Sequence, residues 1–86
     1  MSEAPLFVPV RKGRFTVSLR LFRTAAGRRT GVAFSSSLRL ANALGTGQEW
    51  VRLSEPALRG MIQDLDVVGI VVDPAGTMIP SAAGAA

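Results

Sequence analysis

The chain has 86 residues, 48% hydrophobic and 19% charged, a balance that suits one small packed domain and excludes a chain disordered by composition. It contains no His, Cys or Tyr, which removes disulfides, thiolate and zinc–thiolate sites, histidine metal sites and every His-dependent catalytic arrangement. The formal charge of +4 is unevenly spread: residues 1–40 hold eight basic side chains against Glu3, and residues 41–86 hold Arg52 and Arg59 against five acids.

Residues 1–5 read as a polar lead-in to a single domain over residues 6–74. Leu6–Val10 is a short apolar, β-prone run. Pro9 cannot donate to a ladder, which predicts an edge strand or one that starts irregularly. Residues 11–14 form a turn around Gly13. Phe15 to Arg23 alternates, with Phe15, Val17, Leu19 and Leu21 on one face and Thr16, Ser18, Arg20 and Phe22 on the other. Ala25 to Arg28 reads as a four-residue loop, and Gly31 to Ser35 alternates again. That loop predicts Leu21 opposite Val32 and Leu19 opposite Phe34, with Phe22 opposite Gly31 and Arg20 opposite Ala33 on the reverse face.

Ser36 or Ser37 caps a short helix with Leu38, Leu40, Ala41 and Leu44 at helical spacing and Gly45 as its stop. Glu49 to Leu53 is a third alternating strand. Ser54 caps a second helix, in which Glu55 and Pro56 suit the first turn and Leu58, Met61, Ile62 and Leu65 form the apolar stripe. Val67 to Val72 is apolar except at Gly69, the signature of a strand buried on both faces and hence central. Helical connections before the last two strands predict parallel pairing there. Residues 75–86 read as a mobile tail. The whole predicts an α+β fold: a two-layer sandwich of a mixed sheet of about five strands, with two helices mainly on one face.

No apolar run is long enough for a helical membrane span, and residues 1–5 do not have the pattern of a signal peptide, so cytoplasm is the expected compartment. Catalysis finds little support. The Ser residues at 35–37 and 54 are explained as strand ends and helix caps, and Asp64, Asp66 and Asp73 do not show the ligand spacing of a cation loop. The chain is therefore expected not to be an enzyme, and to need no cofactor, metal or small-molecule substrate.

The informative constellation is a sheet face. If the alternating apolar residues face the helices, Arg20, Phe22, Trp50 and Arg52 face away together. Trp and Arg are common interface anchors, so this face points to binding of a protein partner or to homodimerisation. A structural reading competes: the face is closed by Met78 and Ile79 of the tail, or Trp50 completes the core. The alternative function is single-stranded nucleic-acid binding through the basic half, carried by Arg11, Lys12, Arg28 and Arg29.

Several blocks also carry a resemblance: Leu6–Val10, Leu21–Thr24, Val32–Ser36, Gln48–Arg59 with its Gln-Glu-Trp-Val core, and Val72–Pro74. Together they make residues 6–74 similar to small actinobacterial proteins related to the SseB amino-terminal domain. The resemblance implies a compact α+β domain in a bacterial cytoplasm, and it brings no established reaction, ligand or catalytic residue.

Overall fold

Alternating apolar residues and two capped amphipathic segments shape the computed structural model, which describes residues 4–74 and 79–80. In chain order the elements are β1 (Leu6–Lys12), β2 (Val17–Leu19), β3 (Leu21–Arg23), β4 (Arg29–Ala33), α1 (Ser37–Leu44), β5 (Trp50–Leu53), α2 (Glu55–Ile62), β6 (Ile70–Val72) and β7 (Ile79–Pro80). The α+β class is as expected. In place of one sheet of about five strands there are two small ones, ordered β2-β1-β5 and β6-β4-β3-β7.

The two sheets meet at β1, which is central rather than an edge strand. Its Phe7 exchanges main-chain hydrogen bonds with Phe34 just beyond β4, while Val10 to Lys12 pair with β2. Pro9 sits between these partners. Its carbonyl accepts from the Arg20 N–H at 3.0 Å, and its missing N–H falls where the neighbour changes from β4 to β2. A proline is tolerated in a central strand at such a break in the ladder. The same break splits the expected long strand over 15–23 into β2 and β3, and Phe15 stands 90% exposed beyond the end of β2.

The β3–β4 register differs from expectation by one residue: Leu21 faces Gly31, Phe22 faces Thr30 and Arg23 faces Arg29. The cause is the turn. Thr24 N–H donates to Arg28 O, Gly27 N–H donates to Thr24 O, and Gly27 takes φ 82°. This is a three-residue loop ending in a left-handed glycine, not a four-residue loop. A slip of one residue exchanges the faces. Phe22 therefore shares a face with Val32 and Phe34, and the three pack with Leu40 of α1.

The opposite face forms the other core cluster: Leu6, Val8 and Ala33 beneath Leu58 and Ile62 of α2. Alternate residues of the same strands thus serve different helices, Phe7 and Phe34 under α1, Leu6, Val8 and Ala33 under α2. The helices cover opposite faces, which replaces the two-layer arrangement with both helices on one side. Their caps are those expected: Ser36 and Ser54 accept from the N–H groups of Arg39 and Ala57 at 3.1 and 3.2 Å.

Strand β6 is parallel to β4, as expected, whereas β5 is antiparallel to β1. The run over 67–72 is not a central strand. Only Ile70–Val72 is strand, at the edge of its sheet, and Val68 and Val72 are exposed. Residues 67–69 instead run beside β4 through Val68 N–H to Arg29 O and through Gly69 O, which accepts from Gly31 N–H and the buried Thr30 hydroxyl. Within the expected tail, the main chain of Ile79–Pro80 pairs with β3. The remaining tail positions, Met78 included, and residues 1–3 lie outside the described residues.

Candidate functional site

Strand β5 forms because Trp50, Val51, Arg52 and Leu53 alternate and because α2 seals one side of it: Val51 and Leu53 pack against the cluster under α2. Its ladder with β1 places Leu6 opposite Leu53, Phe7 opposite Arg52, Val8 opposite Val51 and Pro9 opposite Trp50. In that register Val10 N–H donates to Glu49 O at 2.9 Å. Hydrogen-bonded positions alternate along an antiparallel pair, so the main-chain groups of Val51 and Leu53 point to β1. Those of Trp50 and Arg52 point outward. Among the described strands, β1 is the only one paired with β5, which leaves that outer side as a sheet edge.

The side chains of Trp50 and Arg52 project on the α1 side of the sheet, opposite Pro9 and Phe7. The indole stands edge-on to the Phe7 ring, with centroids 5.0 Å apart at 74°, and remains 40% exposed. An aromatic held on one side by another ring and open on the other is a fixed apolar contact surface with a polar N–H at its rim.

The four residues expected on one face do share it, but they do different things. Arg20 lies opposite Pro9 by continuation of the β1–β2 register, and its guanidinium sits 5.1 Å above the Phe22 ring. Phe22 is 2% exposed beneath α1, so it is a core residue and not a contact residue. The physical reason is the register slip and the helix that covers this face. Arg20 is engaged inside the molecule, donating through Nη1 to the Gln48 side-chain carbonyl. Trp50 and Arg52 alone of the four are presented outward.

Two residues missed in the sequence complete the arrangement. Phe7 backs the indole; the run Leu6–Val10 is apolar throughout and gives no sign of which face Phe7 takes, and only the β1–β5 register sets it beside Trp50. Gln48 holds Arg20 and donates through Nε2 to Val10 O at 2.9 Å and to Glu49 O at 2.8 Å, bracing the start of β5. It opens the Gln-Glu-Trp-Val block that carries the resemblance, but nothing local there marks this bracing role.

The four basic residues of the alternative reading fall in two places. Arg11 and Lys12 end β1 beside the start of β2, and Lys12 pairs with Glu49 at 3.8 Å. Arg28 and Arg29 lie at the β3–β4 turn, at the far end of the β2–β3 strand. Six residues of extended chain, roughly 20 Å, separate Val17 from Arg23 and hence the two groups. Asp64, Asp66 and Asp73 do not converge, and among the described residues no group of three or more acids is placed to hold a metal ion. Asp73 closes the start of α1: its carboxylate accepts from Ser35 N–H at 2.9 Å and from the Ser35 hydroxyl at 2.8 Å. Those two bonds, the main-chain one foremost, hold its pKa below the usual carboxylate value, with Arg39 adding a smaller pull. Among the described residues, no helix is long and apolar enough to cross a membrane.

A family model described as the SseB protein N-terminal domain matches residues 1–79. No curated protein and no solved structure matches the chain.

Proposed function

The chain belongs to the SseB N-terminal domain family, and from its geometry we propose that it works as a non-enzymatic protein-binding domain whose contact surface is the outer edge of β5 with Trp50 and Arg52. The observation that carries this reading is the coincidence of a strand edge that no described strand pairs with and an indole 40% exposed on it. An open edge offers main-chain donors and acceptors to an incoming strand, and the side chains beside it select the partner.

A second copy of the same strand fits this edge well. The outward main-chain groups belong to Trp50 and Arg52, so an antiparallel two-fold centred on Val51 hydrogen-bonds each Trp50 to the Arg52 of the other copy. Directly opposite residues share a face, which sets each guanidinium against an indole. Centring the pair on Arg52 would place like charges opposite each other and is disfavoured. The edge is four residues long, so the contact belongs to the weak class, below about 1,200 Å² of buried surface. The setting we propose is the cytoplasm of an actinobacterium, with residues 6–74 as the working domain.

Sedimentation velocity up to about 1 mM, where even −4 kcal/mol of association is visible, tests the reading. The wild type is expected to shift from monomer to dimer. Trp50→Ala is expected to weaken the dimer. Arg52→Pro should abolish it while leaving the fold intact, because residue 52 directs its N–H outward at the edge. A wild type that stays monomeric throughout, or an Arg52→Pro variant that dimerises like the wild type, would reject pairing of β5 with itself.

A further inference from the structure

We infer that the cleft at the tip of the β3–β4 hairpin is an anion site for a phosphoryl group, free or as a monoester. The cleft has a volume of about 360 Å³ and is lined by Arg23, Gly27, Arg28, Arg29, Asp66 and Val68. It lies apart from the β5 edge, and the argument for it does not depend on that surface.

Charge is the first reason. Arg23 and Arg29 are direct cross-strand partners, so both side chains emerge on one face. Like charges in that relation destabilise a sheet unless something negative lies between them. Internal compensation is thin. Asp66 is the single carboxylate of the lining, it reaches Arg29 Nη2 only at 3.9 Å, and its side chain is fully exposed. Arg28 has no ion-pair partner among the described residues. The lining keeps an excess of two positive charges, and the Arg29 side chain is 26% exposed, where solvent screens it less.

Construction is the second reason. Arg23 is oriented by its Nη1 bond to Gly27 O at 2.7 Å. The turn is closed by the Thr24 to Arg28 bond, and the Asp66–Val68 wall is tied to Arg29 O by Val68 N–H at 2.9 Å. The guanidinium groups thus hang from a braced frame built of two distant chain segments. Planar forks of this kind take up phosphate oxygens in pairs. The volume exceeds what one phosphoryl group fills and lies in the range of small-ligand sites, about 300–1,000 Å³. The exposed Val68 side chain gives the remaining space an apolar wall suited to the organic part of a monoester.

Amide NMR titrations at constant ionic strength test this, using inorganic phosphate, glycerol 3-phosphate and a single-stranded oligothymidylate, each against sodium chloride. Phosphate and the ester are expected to give saturable shifts at residues 27–29 and 66–69. Tighter binding of the ester assigns the extra space to its organic part; equal binding assigns the site to phosphate itself. Arg28→Gln, at an exposed position, should weaken binding about ten-fold. Asp66→Asn should strengthen it by removing the competing carboxylate. Arg14→Gln, the same charge change on the β1–β2 turn, should leave it unchanged. Shifts no larger than those of chloride, or equal losses in Arg28→Gln and Arg14→Gln, would overturn the site. So would tight oligonucleotide binding that needs Arg11 and Lys12 as much as Arg28.

Discussion

At the scale of single residues, two aromatics of the same sheet face have opposite roles. Phe22 is sealed under α1 with Val32, Phe34 and Leu40, whereas Trp50 leans on Phe7 at the open margin. Truncating Phe22 to Ala should cost about 3–5 kcal/mol in chemical denaturation, the usual loss for a buried aromatic. Trp50→Ala should cost clearly less and leave a cooperative transition. Equal losses would mean that Trp50 is a core residue after all. That Arg20 shares a side with Phe22, and Trp50 with Arg52, was legible because side chains alternate along a strand; that the two pairs meet on one face depends on how both strands register against β1. What covers that face was not legible, because the side of the sheet that α1 takes is decided by long-range packing. The role of Gln48 was not legible for a related reason: its bonds join Arg20, Val10 and Glu49, which meet only in the folded chain.

At the scale of elements, the helices were legible from their caps and the strands less so. Ser36 and Ser54 announce their helices through local chemistry. The β3–β4 register depended on reading Gly27 as the end of a three-residue loop, and the apolar run over 67–72 could not reveal that only its last three residues pair as strand. The junction between β6 and α1 carries its own prediction. Asp73 sits at φ 52° and accepts two bonds from Ser35. Its folded-state pKa is lowered, so the stabilisation is complete above the unfolded value of about 3.8 and is lost as pH falls through the lowered folded value. Asp73→Asn keeps a residue type that tolerates the left-handed backbone. Thermal melts across this range should show the wild type more stable than Asp73→Asn at neutral pH, with the gap closing in acid. A gap independent of pH would mean that the carboxylate's charge does not matter.

At the scale of the whole molecule, a small sheet assembly carries a helix on each face, and Thr30 is the one buried polar side chain among the described residues. The α+β class followed from the order of elements; the layering did not, because periodicity says that a helix has an apolar stripe and not which sheet face receives it. Among the described strands, clothing both faces leaves the strand edges as the surfaces able to extend the sheet, and the β5 edge carries the part-exposed Trp50. Amide hydrogen exchange at Trp50, Val51, Arg52 and Leu53, followed from dilute solution to about 1 mM protein, reads that edge directly. The account predicts that Val51 and Leu53 are protected at every concentration, held by β1, while Trp50 and Arg52 gain protection together as the chain is concentrated. Trp50 and Arg52 amides that exchange as freely at the highest concentration as at the lowest would contradict it.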